Sequence, residues 1–267
     1  MMNCARIRLM IVCFAIGLFH LDAAQNRAFA QTEVALELVL LADATGSIDT
    51  AEIRFQREGY AQAITDPMVI SAIRNTAHGN IAVTYVEWAD AASQDVVVGW
   101  TIIDGQETAD AFAAALLEPP RRAYGRNAIG AALLFGKALI ENNDLLGFRR
   151  VIDLSADSAN SWNGPSIADA RREVLDAGII INGLAVLCRH CSGRPVNYDL
   201  EAAFGERIIA GPGSFVITAD SPATFSNAVR RKLILEIAGL QPPLTVAEIP
   251  AHERATNDQS VKTEGVQ

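Results

Sequence analysis

Hydrophobic and polar residues along this chain form two alternating kinds of segment. Short apolar runs rich in β-branched residues are separated by stretches in which apolar residues recur at helical spacing. The strand-like runs are Leu36–Ala42, Ile81–Ala89, Val151–Ala156, Ile179–Leu187 and Phe215–Thr218. The helical patterns are Ala51–Ile64, Ala109–Leu117, Ala128–Ile140, Ser166–Ala177 and Pro222–Ala238. This alternation predicts an α/β fold with a doubly wound, mostly parallel sheet and helices on both faces. Asp95–Ile103 predicts an additional short edge strand.

The first 30 residues have the pattern of a signal peptide. Arg6 and Arg8 precede an apolar stretch at 9–19, and Ala28-Phe29-Ala30 has the small-x-small form of a cleavage site. No later segment reaches the ~20 apolar residues that a membrane helix needs. We therefore expect an exported protein, periplasmic or secreted, with no membrane insertion after signal cleavage. Its single domain would cover residues 31–240, followed by a disordered polar tail at 241–267.

The charge of the chain narrows its choice of partners. The formal net charge is −9, and removal of residues 1–30 takes away three arginines and one aspartate, which gives −11. An acidic surface disfavours nucleic acid and anionic membranes as partners. It is compatible with a protein that binds cations, and equally with a charge that only keeps an exported protein soluble.

Oxygen-bearing side chains follow the first predicted strand at alternate positions. Asp43, Thr45 and Ser47 project to one side of an extended segment, and Asn127 and Asp157 lie in the loops that a doubly wound sheet would bring beside them. Oxygen ligands of this kind suit Mg²⁺, Mn²⁺ or Ca²⁺ better than zinc. The same residue types are also common in helix caps and turns, which is the alternative interpretation of the motif.

These residues resemble the metal-ion-dependent adhesion site of von Willebrand factor A domains. Asp43, Thr45 and Ser47 are similar to its D-x-S-x-S element, Asn127 takes the place of a loop Thr before a G-x-A-L helix, and Asp157 takes the place of a later Asp. The resemblance covers about Val34 to Leu240 and is closest to an uncharacterised secreted bacterial branch of the family. The chain departs from the pattern at Asn127, an amide where the family has a hydroxyl, and at Ser158, which replaces a Gly.

The resemblance implies a protein-binding function of the adhesion type. A divalent cation, Mg²⁺ or alternatively Mn²⁺ or Ca²⁺, would be held by the five residues and would take its last ligand from a Glu or Asp carboxylate of a protein partner. No catalytic residue is expected from this comparison.

Two alternative functions remain open from the residues. Asp43 after the first strand is compatible with a metal-dependent phosphate-ester hydrolase, although Thr45 stands where such sites generally have a second carboxylate. Cys188 and Cys191 predict a disulfide in an exported protein, or the redox pair of a thiol–disulfide protein. The turn sequence after Cys191 favours the structural disulfide.

A second carboxylate on the strand that leads to Asp157 needs an explanation. Asp153 lies two pleat positions before Asp157 on the same side of the strand. It would either orient the metal site or pair with Arg149, Arg150 or a neighbouring hydroxyl.

Overall fold

The computed structural model describes residues 31–187 and 197–242. Within these ranges, every predicted strand and helix forms, in the predicted order along the chain. The strands are β1 Thr32–Asp43, β2 Ile81–Trp88, β3 Gln94–Ile103, β4 Leu145–Ala156, β5 Ile180–Val186 and β6 Val216–Ala219. The helices are α1 Thr50–Ile64, α2 Pro67–Arg74, α3 Gln106–Leu117, α4 Ile129–Glu141, α5 Ile167–Asp176, α6 Leu200–Arg207 and α7 Pro222–Ala238. None of the helices in the described ranges is both long and apolar enough to cross a bilayer.

The six strands form one sheet in the order β3-β2-β1-β4-β5-β6. All neighbouring strands run parallel except β2 and β3, which are antiparallel, so β3 is the predicted additional edge strand. The predicted doubly wound, mostly parallel α/β fold is confirmed. The strand order reverses between β1 and β4, and this reversal opens a crevice at the carboxyl ends of the two strands.

Both faces of the sheet are buried under helices. Along β1, Leu38 and Leu40 belong to one apolar cluster and Val39 and Leu41 to the other. The first cluster includes residues of α1, α2, α3 and α7, and the second includes residues of α4, α5 and α6. Because successive side chains of a strand point to opposite faces, a continuous apolar run is what a strand covered on both sides requires.

The structure also contains elements that the sequence pattern did not predict. Helices α2 and α6 have 8 residues each, about two turns, which is too short for a clear helical period in the sequence. Strand β4 begins at Leu145, six residues before the predicted strand, because its first half has partly exposed residues among its apolar ones. The predicted signal peptide, most of the predicted tail, and Cys188 and Cys191 lie outside the described residues.

Candidate metal centre

The sheet brings the two predicted carboxylates to the same edge. Strand β1 ends at Asp43, and β4 ends one residue before Asp157. The two strands are parallel neighbours, with Ala42 paired to Ser155. Both carboxyls therefore leave the sheet side by side at the crevice where the strand order reverses.

The loop between β1 and α1 folds its hydroxyls back over Asp43. The backbone N–H of Thr45 donates to Asp43 Oδ1 at 2.8 Å, and the hydroxyl oxygens of Thr45 and Ser47 lie 3.2 Å apart. Thr45 is buried, whereas Ser47 is exposed at the mouth of the crevice. The N-cap of α1 is Asp49, so the motif residues do not cap this helix. They do form turns, since the Thr45 N–H bonds to the Asp43 side chain and the Ile48 N–H donates to the Thr45 carbonyl, so the turn part of the alternative interpretation stays open.

Asp43 and Asp157 are buried next to each other, and neither forms an ion pair with any residue in 31–187 or 197–242. Burial raises the pKa of Asp43 to about 6, opposed by hydrogen bonds from Thr45 and from the backbone of Asp157. Burial also raises the pKa of Asp157 to about 8, and the adjacent Asp43 carboxylate adds to the shift. The Ser47 hydroxyl hydrogen-bonds to Asp157 and opposes it. Near neutral pH the metal-free pair therefore holds a proton, because no ion pair within the described residues compensates two adjacent buried carboxylates.

Asn127 lies in a loop that crosses the crevice. The backbone N–H of Gly46 donates to the Gly125 carbonyl at 2.7 Å, and the N–H of Trp162 donates to the Asn127 carbonyl at 2.7 Å. The half-buried Asn127 side chain forms no hydrogen bond with the described residues, and the N-cap position of α4 belongs to Ala128. The structure therefore leaves the Asn127 amide free beside the loop between β1 and α1, which we call the motif loop. The role of Asn127 as a ligand stays a prediction.

Arg121 is a site residue that the sequence analysis missed. Its guanidinium donates to three carbonyls of the β1–α1 loop, those of Ala44, of Thr45 at 3.1 Å and of Ile48 at 2.6 Å. It also lies close enough to Asp43 to lower the pKa of that carboxyl. These contacts hold the loop that carries the predicted ligands. No local pattern would reveal them, because they join residues more than 70 positions apart.

The donor set fits a hard divalent cation. Asp43 Oδ2 is buried and has no hydrogen-bond partner among the described residues, so one carboxylate oxygen is left for a ligand from outside the chain. No group of three His, Cys, Asp or Glu side chains gathers anywhere in the described ranges. A cation held here would therefore combine two carboxylates with neutral hydroxyl and amide oxygens, a ligand set typical of Mg²⁺, Mn²⁺ or Ca²⁺.

Asp153 pairs with a residue that was not predicted. Its carboxylate contacts Lys232 Nζ of α7 at 2.7 Å, and Lys232 also pairs with Glu236. The predicted pairing with Arg149 or Arg150 is wrong, since Arg149 donates to the Ile237 carbonyl and Arg150 to the Ala177 carbonyl. Arg149 lies four residues from Asp153, about 13 Å along a strand, and Arg150 projects from the opposite face.

The chain matches one protein-family model over most of its length. The family model described as protein of unknown function DUF1194 matches residues 33–241. The chain belongs to this family. The DUF1194 match spans every described strand from the second residue of β1 onward, and with them the whole candidate metal centre. No curated protein matches the sequence significantly.

Solved structures confirm the predicted von Willebrand factor A-like fold. The DUF1194 chain resembles the von Willebrand factor domain of the type V pilus tip protein Mfa5 from Porphyromonas gingivalis, with a TM-score of 0.52 and 10% identity over 80% of this chain and 99% of that one. Proximal thread matrix protein 1 from the mussel byssus, in a structure with a zinc-occupied MIDAS motif, gives a TM-score of 0.52 and 16% identity over 78% of this chain and 49% of that one. The pilus adhesin SpaC from Lactobacillus rhamnosus GG gives a TM-score of 0.52 and 13% identity over 78% and 31%.

The chain spans about half of the mussel protein and about a third of the pilus adhesin. At these identities the similarity shows the fold of the DUF1194 chain.

Proposed function

We propose that this protein is an exported, metal-ion-dependent protein-binding domain. A divalent cation, Mg²⁺ in preference to Mn²⁺ or Ca²⁺, is held by Asp43, Thr45, Ser47, Asn127 and Asp157. A Glu or Asp carboxylate of a protein partner completes the coordination of the ion. The contact is strong because a carboxylate meets a dication in a fixed and partly desolvated crevice.

The observation that carries this proposal is the buried acid pair without an internal cation. Burying an unpaired carboxylate costs several kcal/mol, and two such groups side by side also repel each other. Asp43 is 1% exposed and Asp157 is 7% exposed, and one Asp43 oxygen has no hydrogen-bond partner in the described structure. A bound dication would offset both costs at once.

The structural relatives support the same proposal through their fold. One relative carries zinc in its MIDAS motif, the metal-ion-dependent adhesion site. Two others are a pilus adhesin and a pilus tip domain, so the fold is used both with a metal and in pili. Export rests on the signal-peptide pattern of residues 1–30. N-terminal sequencing of the protein recovered from the periplasm or the medium would test it, with Gln31 as the expected first residue.

Thermal unfolding with and without metal tests the site. A cation that binds only the native protein stabilises it by RT ln(1 + [L]/Kd), which is about 2.7 kcal/mol when the free ion is at 100 times its Kd. We expect the melting temperature to rise with millimolar Mg²⁺ or Mn²⁺ after treatment with chelator. The Asp43→Asn variant keeps the shape of the side chain and removes its charge, so it should fold and show no such rise.

The matched control is Asp169→Asn. Asp169 is an exposed acid on α5 that contacts Ser166 and Arg172, and this variant should respond to metal like the wild type. Zinc belongs in the ion series, because the mussel relative holds zinc. Two results would contradict the site: a melting temperature that does not change with Mg²⁺, Mn²⁺, Ca²⁺ or Zn²⁺, or an equal response in wild type and Asp43→Asn.

A further inference from the structure

Two exposed aromatic side chains stand at the rim of the crevice, each beneath an arginine. Tyr124 is 58% exposed and Trp162 is 64% exposed. The guanidinium of Arg121 lies 4.7 Å from the centre of the Tyr124 ring, and that of Arg126 lies 4.6 Å from the centre of the Trp162 ring. Such stacking holds an arginine in place. The N–H groups of Arg121 donate to backbone carbonyls, whereas the Arg126 guanidinium forms no hydrogen bond with the described residues and can bind a ligand.

Backbone contacts fix this rim against the candidate metal ligands. The Trp162 N–H donates to the carbonyl of Asn127, and the Gly125 carbonyl accepts from Gly46 in the motif loop, both at 2.7 Å. Gly125 adopts a φ of 122°, and a Cβ at this position would lie 2.6 Å from the Cβ of Asp90. The loop that carries Tyr124 and Arg126 is therefore held tightly between the motif loop and the loop that follows β4.

The rim is positively charged on an otherwise acidic protein. Arg122 and Arg126 are exposed, and neither forms an ion pair with a described residue, although the whole chain has a net charge of −9. Asp90, an acid beside this loop, accepts hydrogen bonds from the Asn163 side chain and the Arg126 backbone. The Arg126 guanidinium therefore has no carboxylate partner within the described chain.

We propose that this rim recognises a second carboxylate of the same partner, so that the ligand is an acidic segment of a protein with two acidic side chains close together. One carboxylate binds the cation, and the other binds the guanidinium of Arg126 through paired N–H···O bonds. Trp162 packs against the aliphatic part of the segment, as exposed tryptophans do at the centres of protein interfaces. This inference rests on the proposed function and adds the chemistry that selects the partner.

Synthetic peptides test the rim directly. The probes are tryptophan-free Gly/Ser/Ala decapeptides with one central Glu, the same peptides with a second Glu one to four residues away on either side, and peptides with Gln in place of Glu. Trp88 is buried, Trp100 is half-buried and Trp162 is exposed, so quenching of tryptophan fluorescence by iodide reports mainly on Trp162. In Mg²⁺ we expect at least one peptide with two Glu to bind about 10-fold more tightly than the peptide with one Glu, and to protect Trp162.

Arg126→Gln should bring the ratio of the two-Glu affinity to the single-Glu affinity close to one. It should leave both the affinity for the single-Glu peptide and the rise in melting temperature with Mg²⁺ unchanged. Arg172→Gln, on exposed helix α5, is the matched control and should keep the ratio. Any of three results would overturn the rim inference: an unchanged affinity ratio in Arg126→Gln, no preference of the wild type for two Glu, or no binding of any peptide.

The proposed metal function fails separately from the rim inference. If the two-Glu peptide binds equally in Mg²⁺ and in chelator but still depends on Arg126, the metal-dependent function is wrong and recognition by the rim stands. If the wild type gains thermal stability from Mg²⁺ and binds the single-Glu peptide only with the ion, while the two-Glu preference is missing, the metal function stands and the rim inference is wrong.

Discussion

Two pairs of buried carboxylates lie on or beside strand β4, and only one of the pairs has a cation of its own. Asp153 and Glu236 share the ammonium of Lys232, which lies 2.7 Å from Asp153 and is itself 1% exposed. Asp43 and Asp157 have no such partner in the described ranges. Each buried charge costs several kcal/mol unless it is paired. The first pair is compensated within the protein and the second is not, and this difference is the basis of the proposed cation site.

The position of each pair along the strand explains this difference. Asp153 lies in the middle of β4 beneath α7, where Asn182 also donates to Glu236 at 3.0 Å, so the cluster joins β4, β5 and α7. Asp157 lies beyond the end of β4, at the crevice, with the exposed Ser47 at its mouth. A buried acid in mid-strand can be neutralised by a helix that covers it, whereas an acid past the strand end meets loops and remains open to a ligand.

Removal of the internal cation should give the largest effect. Lys232→Met leaves Asp153 and Glu236 buried without their partner, and we expect a loss of about 3–5 kcal/mol in the free energy of unfolding. Urea denaturation measures it. Combining this change with Asp153→Asn and Glu236→Gln removes the charges as well and should restore most of the loss. If Lys232→Met costs less than about 1 kcal/mol, the two pairs do not differ in the way described.

Arg121→Ala should have the next largest effect, because it removes the guanidinium that binds three carbonyls of the motif loop. Leaving these groups unpaired costs about 1–3 kcal/mol in stability. The affinity for Mg²⁺, measured by calorimetry, should also fall by about 10-fold, because the loop no longer holds Thr45 and Ser47 in place. Arg121→Lys keeps the charge but cannot reach all three carbonyls, so it should lie between Ala and wild type. A stability loss with unchanged Mg²⁺ affinity would limit Arg121 to a structural role.

Substitution of Asn127 tests whether a cation bound by the Asp43–Asp157 pair, the open pair, has neutral ligands as well. Asn127→Leu places an apolar side chain in the crevice and should weaken Mg²⁺ binding by about 10-fold, at the low end of the 10–100-fold range for one lost ligand or supporting partner. Asn127→Thr restores a hydroxyl and should preserve or tighten binding. Calorimetric titration of the three proteins with Mg²⁺ and Mn²⁺ measures this. Equal affinity in all three would remove Asn127 from the ligand set.

The smallest expected effect is a difference in pH dependence between the metal-free wild type and a variant that lacks one acid of the Asp43–Asp157 pair. Burial raises the pKa of Asp43 to about 6 and that of Asp157 to about 8, from an ordinary value of 3.8. Between about pH 4 and 8 the native protein thus binds more protons than the unfolded chain, and its stability falls as the pH rises. Urea denaturation in chelator at pH 6, 7 and 8 should show this decline.

Asp43→Asn is the comparison variant for this decline, which should be shallower because the repulsion between the two acids is gone. Burial also raises the pKa of Asp153, to about 7, and this contribution is present in both proteins and cancels between them. Equal slopes in wild type and Asp43→Asn would mean that the open pair is not the source of the pH dependence.

The sequence alone was sufficient for the sheet and for part of the candidate site. Continuous apolar runs that alternate with helical patterns have few stable arrangements other than a parallel sheet covered on both faces. In such a sheet, residues that follow neighbouring strands meet at one edge, which is why Asp43, Thr45, Ser47 and Asp157 were predicted to lie together. The short helices α2 and α6 were not predicted because two turns hold too few apolar positions to define a period.

The partners of the polar residues were decided only by the tertiary structure. Asp153 could not be matched to Lys232 from the sequence, because the two residues meet only once α7 packs across the sheet with a particular rotation. The contacts of Arg121 with the motif loop likewise depend on where the loop before α4 crosses the crevice. A strand or helix pattern follows from local periodicity, which the sequence carries directly, whereas an ion pair depends on the positions of two distant segments that are fixed by the packing of the whole core.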